Sequence, residues 1–476
     1  MNIVFFSTNS NVYNSASMNL VSFPSNCERL EELARMHPEH KFTVATQLPG
    51  MFLLDCATDG SFPKAEGVLY HLIESEKADD IAEEIITLSP DIAIAASFWI
   101  APYDWLSVHD SQVSDFLRKK NIPVLCHSTD CALICFDKQR THSFLEPLGF
   151  KMPKSVYVHH DLFLKVRKDV KLNVYYETVL NQIKNLKFPA VIKDTLGLSS
   201  YGMDVVNFFG EAKSLLLSKK NKSDRLVEEF IDGIQFGAEI YGRGGSYTVL
   251  PPLMYSVNKY GLTSPKQSIK LGPITNPRFH IDELTEELKK LACVLNLSGN
   301  AQVDLVFKDG EWYVIEVNPR LSGSSELYAA YQERSVFDRL LGCALDLKNE
   351  CALKNEGGLK IKRTEENCPC AASCNTSEKE IFMNYKVNLL DNEKIREIQK
   401  LPFVIYVRQV QNLVAKQERE TGYCEIVFKS GPGSYEEKLF SIKKRLEELS
   451  NLFPEIIEDI LYERAVKLIE TARLKC

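Results

Sequence analysis

A β-hairpin past the middle of the chain constrains the fold more than any other feature. NAQVDLVF (300–307) and EWYVIEV (311–317) are two strand-like runs flanking the turn letters Lys308-Asp309-Gly310, the pattern of antiparallel neighbours. Side chains on a strand alternate between faces, so Glu316 and Asn318 share one face of the second run. Asp304 joins them only if paired positions sum to an even number, which requires a loop with an odd number of residues. A three-residue loop with Gly310 in the left-handed region supplies it, and the face then carries Asp304, Glu316 and Asn318. Three oxygen donors on one face repel one another unless a cation sits between them, and hard oxygen donors favour Mg²⁺ or Mn²⁺. Magnesium usually completes its shell with substrate phosphates, so a phosphate site is expected elsewhere in the chain.

FPAVIKDTLGLSSYGMDVV (188–206) is the candidate. Strand alternation puts Lys193 at the end of one run, and the following loop holds two glycines and two serines, among them Ser199, Ser200 and Gly202. Backbone N–H groups of such a loop can close over phosphates. No GxxxxGK[ST] occurs, so the loop is not a P-loop, and the first strand is not followed by GxGxxG, which leaves a dinucleotide site without support. A Gly/Ser hairpin turn would give the same letters.

A chain of 476 residues is too long for one hydrophobic core, and the usual domain size suggests roughly two to four domains. Residues 1–136 alternate strand-like runs (NIVFFS, KFTVATQ, GVLYHLIE, DIAIAAS, IPVLCHS) with helical stretches at 78–88 and 112–120, which implies βαβ units and a parallel sheet. A second unit, 137–233, opens with a helix and carries the strands PAVIKD, MDVVNF and RLVEEFI. A third, 234–348, holds QFGAEIYG, SYTVLPPLMYS, a helix at 281–296, the hairpin, and a helix from about 324 to 345. Residues 349–377 are polar and read as a linker, and 378–476 read as a small α+β unit.

A net charge of -7 gives no footprint for nucleic acid, and no Lys/Arg-rich block suggests a membrane surface. No apolar run reaches the roughly 20 residues of a membrane span and Met1–Phe6 lacks the features of a signal peptide, so the expected location is cytoplasmic. Thirteen scattered cysteines favour reduced thiols. Cys368, Cys370 and Cys374 offer three thiolates but no fourth ligand, and burial is the simpler reading of Cys126, His127, Cys131 and Cys135.

Taken in order, Lys138, Lys193 before a Gly/Ser loop, the acidic-hydrophobic VEEFIDG (227–233) and the D…ExNPR hairpin resemble the ATP-grasp superfamily over roughly residues 1–345. The fold this implies is α/β and α+β multidomain: an N-terminal Rossmann-like parallel sheet, small and large ATP-grasp subdomains, and the C-terminal α+β unit. The resemblance implies that Lys138 and Lys193 approach the phosphates of ATP. It implies that Glu229 and Ile231 offer backbone groups to adenine, with Glu228 beside them. The ribose position, usually Glu, falls on Gln235, a neutral group that can still hydrogen-bond a hydroxyl. Asp304, Glu316 and Asn318 would hold Mg²⁺ or Mn²⁺, and Arg320 resembles the arginine that faces an acyl phosphate and its tetrahedral intermediate.

The activity so implied joins a small-molecule carboxylate to an amine, releasing ADP and phosphate, with amino acids or a small acid as the expected substrates and a homodimer left open. A peptide or protein substrate, and a non-catalytic ATP-binding protein, are the alternatives. The loop 195–203 is the natural lid over a water-sensitive intermediate. The basic segment 256–279 is expected to border the substrate pocket, with Lys270 and Arg278 as candidate anion contacts and a solvated loop the favoured reading of Arg278. Ser322, Ser324 and Ser325 precede a helix and are expected either to cap it or to touch substrate.

Overall fold

The computed structural model describes residues 1–8, 18–47, 65–97, 106–165, 172–196, 203–257, 268–355, 379–412 and 421–473. Among the described residues the chain builds three sheets. The first is parallel and five-stranded, formed by β1 (Asn2–Ser7), β3 (Lys41–Thr46), β4 (Val68–Leu72), β5 (Ile92–Ala95) and β6 (Val124–Leu125) in the order β4-β3-β1-β5-β6. Its strands are continuous β-branched and aromatic runs because helices cover both faces. Ile81 and Ile85 of the helix Ala78–Thr87 and Val113 and Leu117 of the helix Leu106–Lys119 pack on one of them.

The second sheet is antiparallel and belongs to the small unit expected at 137–233. It contains β7 (Ser155–Val158), β8 (Ala190–Asp194), β9 (Asp204–Val206) and β10 (Arg225–Glu229) in the order β7-β10-β8-β9. Val179, Leu180 and Ile183 of the helix Val174–Lys184 close its core.

The third sheet joins segments far apart in the sequence. Its members are β2 (Met18–Phe23), β11 (Ile234–Arg243), β12 (Ser246–Val249), β13 (Leu253–Tyr255), β14 (Lys270–Gly272), β15 (Ser298–Lys308), β16 (Glu311–Asn318), β17 (Phe382–Val387), β18 (Val404–Asn412) and β19 (Gly422–Lys429). The order is β16-β15-β11-β13-β14-β17-β19-β18-β2, with β12 paired to β11. The third unit and the C-terminal unit thus share one sheet through the β14–β17 pair. β2, which no hydrophobic alternation announced, leaves the N-terminal unit to pair with β18 at the far edge.

One face of this sheet is apolar. Phe236, Ala238, Met254, Leu271, Val303, Leu305, Met383 and Phe428 pack there against the helices Ile281–Leu295, Tyr435–Leu452 and Asp459–Arg473. The opposite face meets the N-terminal sheet through Tyr328, Phe337, Leu340 and Leu341, which share a core with Ile3, Phe5, Phe42 and Ile94. The single helix expected from 324 to 345 is two, Ser325–Gln332 and Val336–Asn355, because Glu333 adopts φ 54° and turns the chain between them. The second runs into the segment expected to be a linker; the rest of that segment, with Cys368, Cys370 and Cys374, lies outside the described residues.

The hairpin reaches its expected faces by a different device. Its loop has two residues, Asp309 (φ 51°) and Gly310 (φ 82°), and Lys308 pairs with Glu311. Positive φ at both central residues is the tight hairpin turn whose twist matches the flanking strands. That register alone would put Glu316 and Asn318 on the same face as the core residues Trp312 and Val314. A β-bulge intervenes: Leu305 pairs with Val314 but Asp304 pairs with Glu316, so Ile315 has no opposite number. Beyond the bulge Val317 takes over the core face, and Glu316 and Asn318 turn to the other side.

Candidate active site

Asp304 and Glu316 sit directly opposite each other, and Gln302 faces Asn318 in the next pair on the same side. Gln302 Nε2 donates to Asp304 Oδ1 at 2.6 Å, and Asn318 Nδ2 lies 3.3 Å from Gln302 Oε1 and 3.5 Å from Asp304 Oδ2. Burial and the Glu316 charge push the Asp304 carboxyl up to about 6, although the Gln302 bond, Lys270 and Arg320 act the other way. Two carboxylates held face to face suit a divalent cation. Among the described residues no cluster of three His, Cys, Asp or Glu occurs, so on this face Asp304 and Glu316 are the charged groups that could hold a cation, and amide oxygens, water or phosphate would complete a shell. Asn318 presents its Oδ1 to Arg320, whose NH2 donates to it at 3.1 Å.

Two lysines, Lys138 and Lys270, reach this face, and a third, Lys193, belongs to the small antiparallel sheet. Lys138 opens the helix Lys138–Leu145, which Asp137 caps by accepting from the N–H groups of Gln139 and Arg140. Its ammonium lies 3.1 Å from Glu316 Oε1, and its N–H donates to the Thr195 carbonyl at 2.9 Å, tying the start of the expected lid to the hairpin. Lys193, buried on β8, lies 2.6 Å from Glu228 Oε2 on β10. His142 Nε2 is 2.8 Å from the other Glu228 oxygen. Burial raises the Glu228 carboxyl, but Lys193 and His142 outweigh it and hold the group below its ordinary range. Glu228→Gln therefore leaves a buried ammonium without its counter-charge. The expected loss is about 3 kcal/mol, read as a lower denaturation midpoint than that of the wild type.

Lys270 on β14 donates to Ser324 Oγ at 2.9 Å and lies over the Tyr255 ring. Burial and the Lys386 charge lower its ammonium to about 8, against the pull of Glu425, Asp304 and Glu239. The Tyr255 hydroxyl stands 3.3 Å from both Ser324 Oγ and Gln302 Nε2. It fits because β11 carries glycine beneath it: a Cβ on Gly237 would meet that oxygen at 1.9 Å. Gly237→Ala is expected to displace Tyr255 and lower stability by about 1–3 kcal/mol, measurable in a urea melt.

Arg320 follows the hairpin in a loop anchored from below. Ser322 Oγ donates to Glu239 Oε1 at 3.0 Å and Ser325 Oγ to the same oxygen at 2.5 Å, while Asn300 Nδ2 and the Tyr241 hydroxyl reach Oε2. Glu239 is fully buried on β11, and Arg339 approaches it at 3.9 Å. The serines thus brace the loop, and Ser324 makes no side-chain cap on the helix that follows.

Of the other residues singled out in the sequence, Gln235 is on β11 opposite Val306, on the Asp304 side of the sheet. Glu229 ends β10, its N–H donating to the Lys154 carbonyl and its Oε1 accepting from Lys187 N, and Ile231 follows just beyond the strand. Ser199, Ser200 and Gly202 fall outside the described residues. Arg278 points away from the site: its NH2 donates to the Thr471 carbonyl of the C-terminal helix at 2.6 Å, and its guanidinium covers Phe279. Cys126, Cys131 and Cys135 are buried thiols, as expected. Sequence reasoning missed Gln302, Tyr255, Glu239 and His142. Gln302, two residues before Asp304 on a strand, could have been found by the same alternation that found Asp304.

A family model for the ATP-grasp domain matches residues 135–324, the span that holds Lys138, Lys193, Glu228, Lys270, Asp304, Glu316, Asn318 and Arg320. The chain carries an ATP-grasp domain. The chain is similar to the carbamoyl phosphate synthase large chain of Clostridium beijerinckii, 24% identical over 264 residues, and that of Clostridium perfringens strain 13, 25% over 259. These alignments cover 55% and 50% of this chain but only 21% and 23% of the relatives, so the chain spans about a fifth of their length. In fold it is similar to the L-amino acid ligase from Bacillus licheniformis, with a TM-score of 0.59 at 18% identity over 94% of this chain and 97% of that one. The biotin carboxylase domain of the Hydrogenobacter thermophilus 2-oxoglutarate carboxylase gives a TM-score of 0.56 at 11% identity, covering 94% and 89%. The ATP-grasp fold expected from the hairpin and its lysines is the one observed.

Proposed function

We propose that this protein is an ATP-dependent ligase that joins a carboxylate to an amine through an acyl phosphate. The observation that carries the reading is the pair Asp304 and Glu316, forced onto one face by the bulge, with the Lys138 ammonium on Glu316 and Arg320 on the neighbouring Asn318. Burial and the facing Glu316 charge raise the Asp304 carboxyl, and a divalent cation between the two would relieve that repulsion, which supports a Mg²⁺ or Mn²⁺ site. Such an ion, held by Asp304 and Glu316, would supply charge neutralisation between phosphate oxygens and an anionic nucleophile.

The chain's own groups have distinct tasks in this scheme. Lys138 and Lys193 bind phosphate oxygens, exchanging carboxylate partners for phosphate ones. Before nucleotide binds, Glu228 holds the Lys193 ammonium in place from 2.6 Å. A substrate carboxylate oxygen forms a bond to the γ-phosphorus as the bond from that phosphorus to the ADP oxygen breaks. An amine lone pair then attacks the carbonyl carbon, the C–N bond forms, and inorganic phosphate leaves with the electrons of the C–O bond and takes up the proton that the amine nitrogen sheds. Arg320 is placed to donate to the oxyanion of that step. Gln235 and the backbone around Glu229 and Ile231 would take the nucleoside.

Release of ADP measured against a panel of amino acids and small acids, each with and without an amine, tests the reading. Turnover that requires both partners supports it. Binding of ATP with no turnover on any pair, peptides included, would overturn it in favour of a nucleotide-binding protein. Among the described residues no helix is long and apolar enough to cross a membrane.

A further inference from the structure

One of the hairpin carboxylates already has a cation beside it, and that cation comes from another unit. Glu316 Oε1 lies 3.1 Å from the Lys138 ammonium, the two side chains being 24% and 9% exposed, so water screens the contact little. The backbone of Lys138 is fixed independently of its side chain, by the N–H bond to the Thr195 carbonyl and by its place just after the Asp137 cap. The small unit and the hairpin are also joined along the edge of β16, where Val314 N–H donates to the Lys151 carbonyl at 2.8 Å and the Lys151 ammonium pairs with Glu311. Neither of these contacts uses Asp304 or Glu316. The Lys138 ammonium can therefore change partners on its flexible stem while the unit that carries it stays docked.

A divalent cation held by Asp304 and Glu316 would bring like charges together at this spot, and the ammonium would have to give up its carboxylate. Taking a carboxylate away from a mostly buried ammonium is costly unless another anion replaces it, and the phosphates of a nucleotide are such an anion. The converse holds for nucleotide arriving alone. Drawing Lys138 onto phosphate removes the cation from Glu316, which faces Asp304 directly across the hairpin and already helps to raise that carboxyl to about 6. Each ligand on its own breaks a charge pair that the other restores, which is a coupling free energy between two binding events. Lys193 makes the contrast: its carboxylate is Glu228 on β10, away from the hairpin, so the same exchange there leaves the metal pair untouched.

We infer that Lys138 is an internal counter-ion of the metal pair, neutralising Glu316 until a divalent cation and a nucleotide arrive together, so that the site refuses the free cation. This rests on the ligase reading, in which cation and phosphates share one site, and adds to it a control over which form of the ligands is admitted. The hand-over also reaches the expected lid, because the residue that exchanges partners is the one whose N–H holds the Thr195 carbonyl at the start of that loop.

Binding of Mn²⁺ to the full chain without nucleotide, followed at neutral pH by the paramagnetic resonance signal of the free ion, tests the inference. Lys138→Met is expected to bind Mn²⁺ at least about tenfold more tightly than the wild type, the affinity equivalent of a partly buried ion pair. Lys138→Arg keeps the charge and should stay near the wild type. Lys193→Met removes the same charge from the small unit without touching Glu316, and it too should stay near the wild type. Adding Asp304→Asn to Lys138→Met should abolish the gain, which places the ion at the hairpin. If Lys138→Met does not fold, Lys138→Gln removes the charge and keeps a hydrogen-bond donor. Affinity in Lys138→Met and Lys138→Gln no tighter than in the wild type, with Asp304→Asn still weakening it, overturns the counter-ion and leaves the ligase standing. Equal tightening in Lys193→Met, or a gain that survives Asp304→Asn, overturns it as well. A gain that depends on Asp304, together with no ADP release on any pair of acid and amine, keeps the counter-ion and overturns the ligase.

Discussion

Asp304→Asn is expected to make the ligand-free protein more stable and nearly inactive. The carboxyl of Asp304 is raised to about 6 by burial and by Glu316, so its charged form costs free energy in the fold. Below pH of about 4 the folded and unfolded chains both hold the proton, and between about 4 and 6 only the folded chain does. Stability therefore falls as pH rises through that window and stays at the lower level above it. The asparagine variant lacks this fall, and at pH 7 its gain is on the order of 3 kcal/mol. Melting curves of the two proteins from pH 4 to 7, run without nucleotide or divalent ions, should coincide at the acid end and separate above pH 5. Turnover should drop by more than about 100-fold, because even outer partners of metal ligands are worth 10- to 100-fold. The wild-type midpoint for Mg²⁺ should rise about tenfold per pH unit below 6, as protons compete for the same carboxylate. A variant that is less stable than the wild type at pH 7, or one that keeps its Mg²⁺-dependent turnover, contradicts the assignment of this pair.

The same hairpin shows where sequence reasoning succeeds and where it stops. Alternation identified Glu316 and Asn318 as neighbours and required Asp304 to join them, and that requirement holds. The three-residue loop invoked to satisfy it does not exist. Parity can be restored anywhere along a hairpin, and a bulge at Ile315 leaves no letter that distinguishes it from a regular strand residue. What decides the position is the core: Trp312 and Val314 must face Phe236 and Phe279, while the acids must not, so the register changes between them.

The partnership of β2 with β18 was equally silent, because MNLVSF carries no clean alternation and its partner lies almost 400 residues away. Lys193 and Glu228 were both readable as site residues, yet their direct pairing depends on the β8–β10 register, and the third member, His142, comes from a helix in another part of the unit. Local pattern reveals which side chains share a strand face. It does not reveal which helix supplies the group that neutralises them.

Arg320 should separate the two chemical steps. Its guanidinium donates to Asn318 Oδ1 and to the Leu321 carbonyl, so the hairpin end aims it. The loop beneath it is fixed by Glu239 through Ser322 and Ser325, which keeps the donor preorganised. A preorganised donor to a developing oxyanion is worth roughly 10²–10³ in rate. Arg320→Met is therefore expected to lower amide formation by about that factor while leaving KM for ATP near its wild-type value. Arg320→Lys should recover only a small part, because an ammonium cannot reproduce the planar fork. Hydroxylamine, a stronger nucleophile than an ordinary amine, can intercept an acyl phosphate as a hydroxamate. If Arg320 serves the second step, hydroxamate should still accumulate in Arg320→Met with acid and ATP alone. Loss of hydroxamate and amide in equal proportion would move Arg320 to the phosphoryl-transfer step, and unchanged rates for both would remove it from the chemistry.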